Sequence, residues 1–309
     1  MKGVDYELVI IGGGPAGLTA GLYAARAGLN VVLIEKIVPG GQIIVSDWIE
    51  NFPGFPEGLS GPDLVQKMTE QVKRFDLNIE SNEVSSVDLS EPFKKIILND
   101  RTITTHTIII ATGAFPKKLG VPGEDTFYGK GISSCATCDG PFFKDRIVAA
   151  VGGGDTAVQE SLFLTKFAKK VYLIHRRDKL RAAAILQKRA LANKKIEPIW
   201  DSVLTDISGL TNVENITVQN VKTGNKTQLS VDGCFIWVGT IPNTKFLADN
   251  VKLDEHGFII AGLNMETSMP GVFAAGDVRN TPLRQIATAV GDGAIAAISA
   301  ENYIENIKK

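Results

Sequence analysis

Two cysteines and an aspartate offer the clearest chemistry in this sequence of 309 residues. Cys135 and Cys138 are separated by two residues, and Asp139 follows at once. A disulfide across this spacing closes a ring of four residues, and chain entropy assigns such a ring only about 2 kcal/mol of stabilisation. A chain of this length buries a large core without that crosslink. The pair is therefore predicted to be a redox dithiol that opens and closes.

A glycine-rich segment near the N-terminus predicts a first dinucleotide site. The apolar strand Leu8–Ile11 runs into Gly12, Gly14 and Gly17, and a helical pattern follows. Glycines at this spacing allow a tight turn, close approach to a pyrophosphate and close packing of helix on strand. The start of the helix favours phosphate. Glu35, 23 positions after Gly12, ends a second strand, where an acid can accept from a ribose hydroxyl.

The same pattern recurs in the second half of the chain. The apolar strand Ile147–Val151 precedes Gly152, Gly154 and the small residue Ala157. A second strand again follows the helical segment, and 23 positions after Gly152 lies His175. This repeat predicts a second dinucleotide site built on the same plan as the first.

Basic residues occupy the position where the first site has its acid. His175, Arg176 and Arg177 are consecutive, and Arg181 follows. An arginine fork suits a 2′-phosphate, whereas a carboxylate favours a bare ribose hydroxyl. The first site is therefore predicted to hold FAD or NAD and the second NADPH. A charged helix start at the surface is the other interpretation, and it explains the charges but not their register.

The spacing of the repeats predicts that one unit is inserted into the other. The interval from Gly12 to the closing Gly113 is 101 positions, and that from Gly152 to Gly239 is 87. The remaining tail holds one buried strand and one helix, too little for a domain, so it is expected to return to the first unit. The fold class is α/β, with two Rossmann-like three-layer dinucleotide-binding domains. The predicted domains are residues 1–115 with 244–309 and residues 116–243, with a hinge near 114–117 and 240–244.

Composition excludes several classes of function. The formal net charge is −1, which provides no electrostatic attraction for nucleic acid or an anionic membrane. No apolar run reaches the roughly 18 residues of a membrane span. Residues 1–7 carry both charge signs and lead into a strand, so no cleavable targeting signal is expected. Sparse cysteines predict a reducing, cytoplasmic location.

Together, these motifs resemble the low-molecular-weight thioredoxin reductases of bacteria over nearly the whole chain. The resemblance rests on Gly12–Gly17, Gly40–Gln42, Cys135–Asp139, Gly152–Ala157, His175–Arg177, and Gly276–Asp277 with Arg284–Gln285. It implies that the first domain binds FAD, that the inserted domain binds NADPH as electron donor, and that the protein is a homodimer. It implies oxidised thioredoxin as the substrate.

The resemblance also assigns roles to single residues. Cys138 faces the flavin, Cys135 attacks the protein disulfide, and Asp139 is a general acid. A second interpretation of Asp139 is the N-cap of a helix that starts near Pro141. The helix from Arg284 would begin near the flavin pyrimidine, where its positive end stabilises the charge of reduced flavin.

The complete set of expected cofactor contacts follows from the motifs and the resemblance. Those for FAD are Gly12, Gly14, Pro15, Ala16, Glu35, Lys36, Gly41, Gln42, Asn51, Val84, Ala111, Thr112, Gly113, Gly276, Asp277, Arg284, Gln285 and Ile286. Those for NADPH are Gly152, Gly154, Asp155, Thr156, His175, Arg176, Arg177 and Arg181. For Gly41, Gln42 and Asn51, which lie in the proline- and glycine-rich stretch 39–62, ordinary turn residues are an equally good interpretation.

Two alternatives remain open from the sequence. A Cys-x-x-Cys pair also serves zinc, but a structural zinc site needs four ligands. Only Cys234 and three scattered histidines remain, so no metal is expected. The other alternative is a related flavin disulfide reductase with a different acceptor, such as another thioredoxin-like protein or a small disulfide, or with a different electron donor. Phe142 and Phe143 beside the motif fit either a partner surface or the core.

Overall fold

Strands and helices alternate through the chain in a computed structural model, which describes residues 3–46, 49, 51–90, 92–248 and 250–309. The strands are β1 (Tyr6–Ile11), β2 (Val31–Glu35), β3 (Asn78–Ser81), β4 (Val84–Asp88), β5 (Lys94–Leu98), β6 (Thr102–Ile110), β7 (Ala114–Pro116), β8 (Ile132–Ser133), β9 (Ile147–Val151), β10 (Lys170–Ile174), β11 (Ile196–Ile199), β12 (Ser202–Ser208), β13 (Asn215–Asn220), β14 (Lys226–Ser230), β15 (Gly233–Ile236), β16 (Thr240–Pro242) and β17 (Val272–Ala274). The α-helices are α1 (Pro15–Arg26), α2 (Gly61–Lys73), α3 (Ala136–Asp139), α4 (Asp155–Leu164), α5 (Ala184–Ala192) and α6 (Ile286–Lys308). Short 3-10 helices span Gly41–Val45, Gly140–Phe143, Lys245–Leu247 and Gly276–Val278.

The chain divides into two units, one of which interrupts the other. Unit 1 consists of residues 1–115 and 241–309, and unit 2 of residues 116–240. The chain passes between them twice, in β7 and in β16, and these two strands pair with each other.

The sheet of unit 1 has the order β3-β2-β1-β6-β5-β4, with β17 also paired to β6. The first half of β6 pairs antiparallel with β5, and its second half pairs parallel with β17. Side chains of β1 alternate between two cores. Leu8 and Ile10 face a cluster with α1 and α6, whereas Val9 and Ile11 face a cluster with the β4–β5 hairpin. Because both faces are covered, the buried part of the strand, residues 8–11, is apolar throughout.

Unit 2 is built on a parallel sheet of order β11-β10-β9-β15-β8. One face packs on α3, α4 and α5, and the other packs on the antiparallel sheet β12-β13-β14. Parallel strands require crossover connections, which helices provide. The predicted α/β class is confirmed.

The structure adds elements that the sequence pattern did not predict. Strands β3 and β12 were not expected, and β3 is a short, largely polar edge strand. The predicted loop 39–62 contains a 3-10 helix and an antiparallel bridge between Ile49 and Leu59. Ile43, Ile49 and Leu59 form a small core with α2. Residues 47, 48 and 50 of that stretch lie outside the described residues.

Candidate active site and cofactor sites

The two cysteines of the Cys-x-x-Cys motif are joined by a disulfide in unit 2, with their Cα atoms 5.3 Å apart. Both side chains are half-buried. Cys135 caps α3, and its Sγ accepts from the backbone N–H of Cys138 at 3.2 Å. Thr137 Oγ1 lies 3.3 Å from the same sulfur. Donors placed at a sulfur favour its thiolate form once the disulfide opens, because they stabilise negative charge.

Two carboxylates stand near this motif. Asp139 is half-buried at the end of α3 and its N–H donates to the Cys135 carbonyl at 3.1 Å. Among the described residues, the Asp139 side chain makes no capping bond to the following 3-10 helix. Glu160 on α4 accepts from the Ala136 N–H at 3.2 Å. Burial raises the pKa of Glu160, and the Ala136 hydrogen bond partly opposes that rise.

The first glycine-rich turn forms a cradle between β1 and α1. Gly12 has φ +105°, and a β-carbon there would lie 2.5 Å from the Ala111 carbonyl oxygen. Gly14 is the N-cap of α1, Pro15 is its first residue, and no described side chain caps the helix. Gly41, which also has a positive φ, faces Gly14 from the loop. Uncapped helical N–H groups beside two bare backbone segments fit a pyrophosphate.

Glu35 closes this cradle at the end of β2. Its Oε2 accepts from the Gly13 N–H at 2.7 Å, and its Oε1 accepts from the Ile37 N–H at 3.2 Å. The carboxylate therefore lies against the middle residue of the turn, where it can also meet a ribose hydroxyl. Lys36, by contrast, pairs with Glu83 at 2.6 Å, and both are exposed.

The turn after β17 lies beside the same cradle. Gly276 has φ +77°, and a β-carbon there would lie 3.0 Å from the Ala16 side chain. Asp277 is next in the chain. Burial raises its pKa to about 6, the charge of Asp292 adds to that rise, and the charge of Arg284 opposes it.

The remaining residues predicted to contact FAD form further groups in unit 1. Arg284 stacks on the Phe258 ring at 4.0 Å and donates to the Asp277 carbonyl at 3.4 Å. Asn51 donates to Gln285 at 2.9 Å. The others are placed as follows: Ile286 begins α6, Gln42 is exposed in the 3-10 helix Gly41–Val45, Val84 begins β4, and Ala111, Thr112 and Gly113 follow β6.

The second glycine-rich turn repeats the first in unit 2. Gly154 is the N-cap of α4, and no described side chain caps that helix. Among the described residues other than its chain neighbours, only the Arg181 guanidinium would lie within 4 Å of a β-carbon on Gly154, at 3.9 Å. Asp155 begins α4 and accepts from the Ala183 N–H at 2.6 Å, and Thr156 beside it is exposed. The space at Gly154 and the nearby cation fit a phosphate group.

His175 differs from the three arginines that follow it. The side chain is buried, and a β-carbon on Gly153 would collide with its ring. The pKa of His175 is lowered because burial disfavours imidazolium and the charges of Arg181 and Arg177 repel it. Its Nε2 has no hydrogen-bond partner among the described residues. The exposed cations of this site are Arg176, Arg177 and Arg181.

Among the described residues, no group of three or more His, Cys, Asp or Glu side chains is placed to hold a metal ion. Cys234 is fully buried in β15, and burial raises its pKa to about 12. In the described part of the chain, no helix is long and apolar enough to cross a bilayer.

Several residues of these sites were not predicted from the sequence. Glu160 binds the motif, Asn243 exchanges hydrogen bonds with Thr112 at 2.7 and 2.8 Å, and Asp292 binds the Gly276 turn. Only Asp292 carried a usable signal, because it is an acid in an alanine- and glycine-rich helix.

The chain is similar to known proteins over nearly its whole length. Residues 6–293 match the family model described as pyridine nucleotide-disulphide oxidoreductase. Thioredoxin reductase of Listeria innocua is 44% identical over 98% of this chain and 95% of its own, and that of Bacillus subtilis 43% over 98% and 96%. The solved thioredoxin reductase of Streptococcus pyogenes matches with 48% identity, 97% and 98% coverage, and a TM-score of 0.92. That of Lactococcus lactis matches with 45% identity, 98% and 100% coverage, and a TM-score of 0.69.

The chain belongs to the pyridine nucleotide-disulphide oxidoreductase family. Within it, the resemblance to low-molecular-weight thioredoxin reductases is confirmed. The protein is an oxidoreductase of a family that uses FAD and NADPH. The cradle at Gly14 fits the pyrophosphate of FAD, and the space at Gly154 beside Arg181 fits a phosphate of NADPH.

Proposed function

We propose that the protein is an NADPH-dependent thioredoxin-disulfide reductase. The observation that carries the proposal is the half-buried disulfide Cys135–Cys138, which lies in the same unit as the second glycine-rich turn. A pair that is partly accessible to a partner protein suits disulfide exchange. Relatives named thioredoxin reductase support oxidised thioredoxin as the acceptor.

The proposal assigns one cofactor to each of the two predicted domains, the second of which ends three residues beyond unit 2. Residues 1–115 with 244–309 would bind FAD through the cradle at Gly12 and Gly14, with Glu35 and Asp277 beside it. Residues 116–243 would bind NADPH through Gly154 and the exposed arginines of its site. The segments 114–117 and 240–244 would be the hinge, which the pairing of β7 with β16 supports.

The cysteine pair is proposed to move electrons in two stages. When bound, FAD and NADPH supply two electrons to the pair. Opening the Cys135–Cys138 bond consumes these electrons with two protons and leaves two thiols. Asp139, one residue after Cys138, is proposed to hold one of the protons.

The second stage is exchange with the partner. The Cys135 thiolate attacks one sulfur of the partner disulfide and forms a mixed disulfide, and the partner's other sulfur leaves as a thiolate. The Cys138 thiolate then attacks Cys135, which restores the internal disulfide and releases the reduced partner. The donors at the Cys135 sulfur, the Cys138 N–H at 3.2 Å and the neighbouring Thr137 hydroxyl, support Cys135 as the attacking residue.

Replacing Cys138 tests the order of these steps. Cys138→Ser is expected to keep NADPH-dependent bleaching of the flavin absorbance and to lose NADPH oxidation with oxidised thioredoxin. Cys234→Ala, which removes the buried third thiol, is expected to retain both activities. Loss of flavin bleaching in Cys138→Ser would contradict the order of transfer. Wild-type assays with several thioredoxin-like proteins and small disulfides would identify another acceptor if thioredoxin fails.

Assembly and location are part of the same proposal. A homodimer is supported by an exposed apolar surface on unit 1, where Ile295 and Ile298 of α6 are 42% and 46% exposed beside Tyr23 of α1. Sedimentation at micromolar protein concentration measures the oligomeric state, and a monomer would contradict the proposed homodimer. A cytoplasmic location is supported by the need to keep the dithiol reducible, and cell fractionation tests it.

A further inference from the structure

An ion pair in unit 1 holds the turn next to the cradle proposed for FAD. Asp292 on α6 and Arg279 are joined through Asp292 Oδ2 and Arg279 Nε at 2.9 Å. Their side chains are only 13% and 14% exposed. The same carboxylate oxygen accepts from the Gly276 N–H at 3.1 Å. One oxygen therefore ties α6 to both ends of the short 3-10 helix Gly276–Val278.

The turn that is held in this way is in contact with the cradle. A β-carbon on Gly276 would lie 3.0 Å from Ala16 in the first turn of α1 and 3.5 Å from Ala289 in α6. A β-carbon on Gly293, next to Asp292, would collide with the Ala16 carbonyl oxygen. Small residues therefore let α6 approach α1 closely, and Asp292 fixes the turn to that pair of helices.

A buried ion pair is a poor source of net stability, because desolvation of both charges opposes their attraction. Its geometric effect is larger, because two directional bonds to one oxygen restrict where the turn can lie. The residue that gains from this restriction is Asp277, which follows Gly276 and is proposed to bind FAD.

We propose that Asp292, together with Arg279, is a positioning residue of the FAD site, which acts by fixing the Gly276–Asp277 turn against the cradle. This inference rests on the proposed function, since it requires FAD to bind in unit 1. Asp292 and Arg279 lie outside the glycine-rich turn and the cysteine motif, and neither is among the residues predicted to contact FAD.

The test compares FAD dissociation from purified full-length holoenzymes, measured by dilution and flavin fluorescence. Asp292→Asn keeps the size of the side chain and removes its charge, and it is expected to weaken FAD binding about tenfold, which corresponds to about 1.4 kcal/mol. Arg279→Met is expected to have a similar effect. The fold-loss of FAD affinity in the double variant is expected to be smaller than the product of the two single fold-losses, because both substitutions break the same interaction.

Lys308 provides a matched control, because it joins the same helix α6 to Glu7 through an ion pair of 2.5 Å at the amino end of β1. Lys308→Met is expected to leave FAD dissociation unchanged. Equal weakening in Lys308→Met, or wild-type affinity in Asp292→Asn, would overturn the inference. A wild-type protein that binds no FAD would instead refute the proposed function.

A pH profile separates positioning from general loosening. Asp277 faces the cation of Arg284 and the anion of Asp292. Removing the Asp292 charge lowers the pKa of Asp277, so the pH dependence of FAD dissociation is expected to move to lower pH in Asp292→Asn. An unshifted profile would contradict the role assigned to Asp292.

Discussion

Asp277 is predicted to lower the stability of the flavin-free protein. Its ordinary pKa is 3.8, and burial raises the pKa to about 6 in the folded chain. The difference of about two pH units, at roughly 1.36 kcal/mol per unit, corresponds to about 3 kcal/mol. The raised pKa destabilises the folded chain, because the carboxyl group loses its proton more readily in the unfolded chain. This loss of folding free energy is near zero when the pH is below the pKa of the unfolded chain. It reaches its full size when the pH is above the pKa of the folded chain.

Asp277→Asn removes this cost and is expected to stabilise the flavin-free chain by about 3 kcal/mol at pH 8 and by about 0.5 kcal/mol at pH 4. Thermal unfolding of flavin-free, full-length protein measures it, and a rise in Tm of about 5 °C or more is expected at pH 8. The exposed Glu305→Gln on α6 is the control, with little change at either pH. The same variant is expected to bind FAD less tightly than the wild type.

Two results would refute the reasoning about Asp277. The first is a gain in stability that is the same at pH 4 and pH 8, because burial of a charge requires that the gain grow as the carboxyl titrates. The second is a gain at pH 8 without any loss of FAD affinity, because the buried carboxylate would then have no part in binding.

The remaining predictions concern NADPH and the protein partner. Arg181→Ala is expected to raise KM for NADPH by roughly 10- to 100-fold, because a charge-assisted bond to the 2′-phosphate is lost. KM for NADH, which lacks that phosphate, is expected to stay nearly unchanged. Equal effects on both nucleotides would exclude the contact between Arg181 and the 2′-phosphate. Phe142 is 51% exposed beside the motif, and Phe142→Ala is expected to raise KM for thioredoxin about tenfold with flavin bleaching unchanged. Phe143 packs on Phe235 at 5.3 Å, so Phe143→Ala is expected to cost about 3 kcal/mol of stability instead.

Local patterns explain why much of the fold was predictable. The strand, glycine turn and helix at Gly12 and at Gly152 are consecutive in sequence, so their spacing alone predicts two similar sites. The α/β class follows from apolar strands that alternate with helices. Strand β12 was not predicted, because it carries none of the glycine-turn signals that mark the two sites.

Contacts between distant elements were not predictable. His175 lies at the position reached by counting from Gly152, but its pKa depends on burial under Gly153, which only the folded turn produces. Glu160 meets Ala136 because α4 packs on α3, and nothing in the local sequence of either helix indicates that contact. The sequence therefore predicts where a site residue lies more readily than whether its side chain is charged in the folded protein.

The paired strands β7 and β16 make unit 2 a cassette. The backbone N–H of Lys117 donates to the Gly239 carbonyl at 2.9 Å, so the two ends of the insert are neighbours. Asn243 donates to the Gly113 carbonyl at 3.0 Å, so the cut ends of unit 1 are neighbours too. Two breakpoints in a gene, one in each strand, would therefore replace the whole insert with another module. If the insert were removed instead, a short linker would join the two ends of unit 1. Recombination at these strands would place a different insert, with another electron donor or acceptor, on the unit proposed to bind FAD.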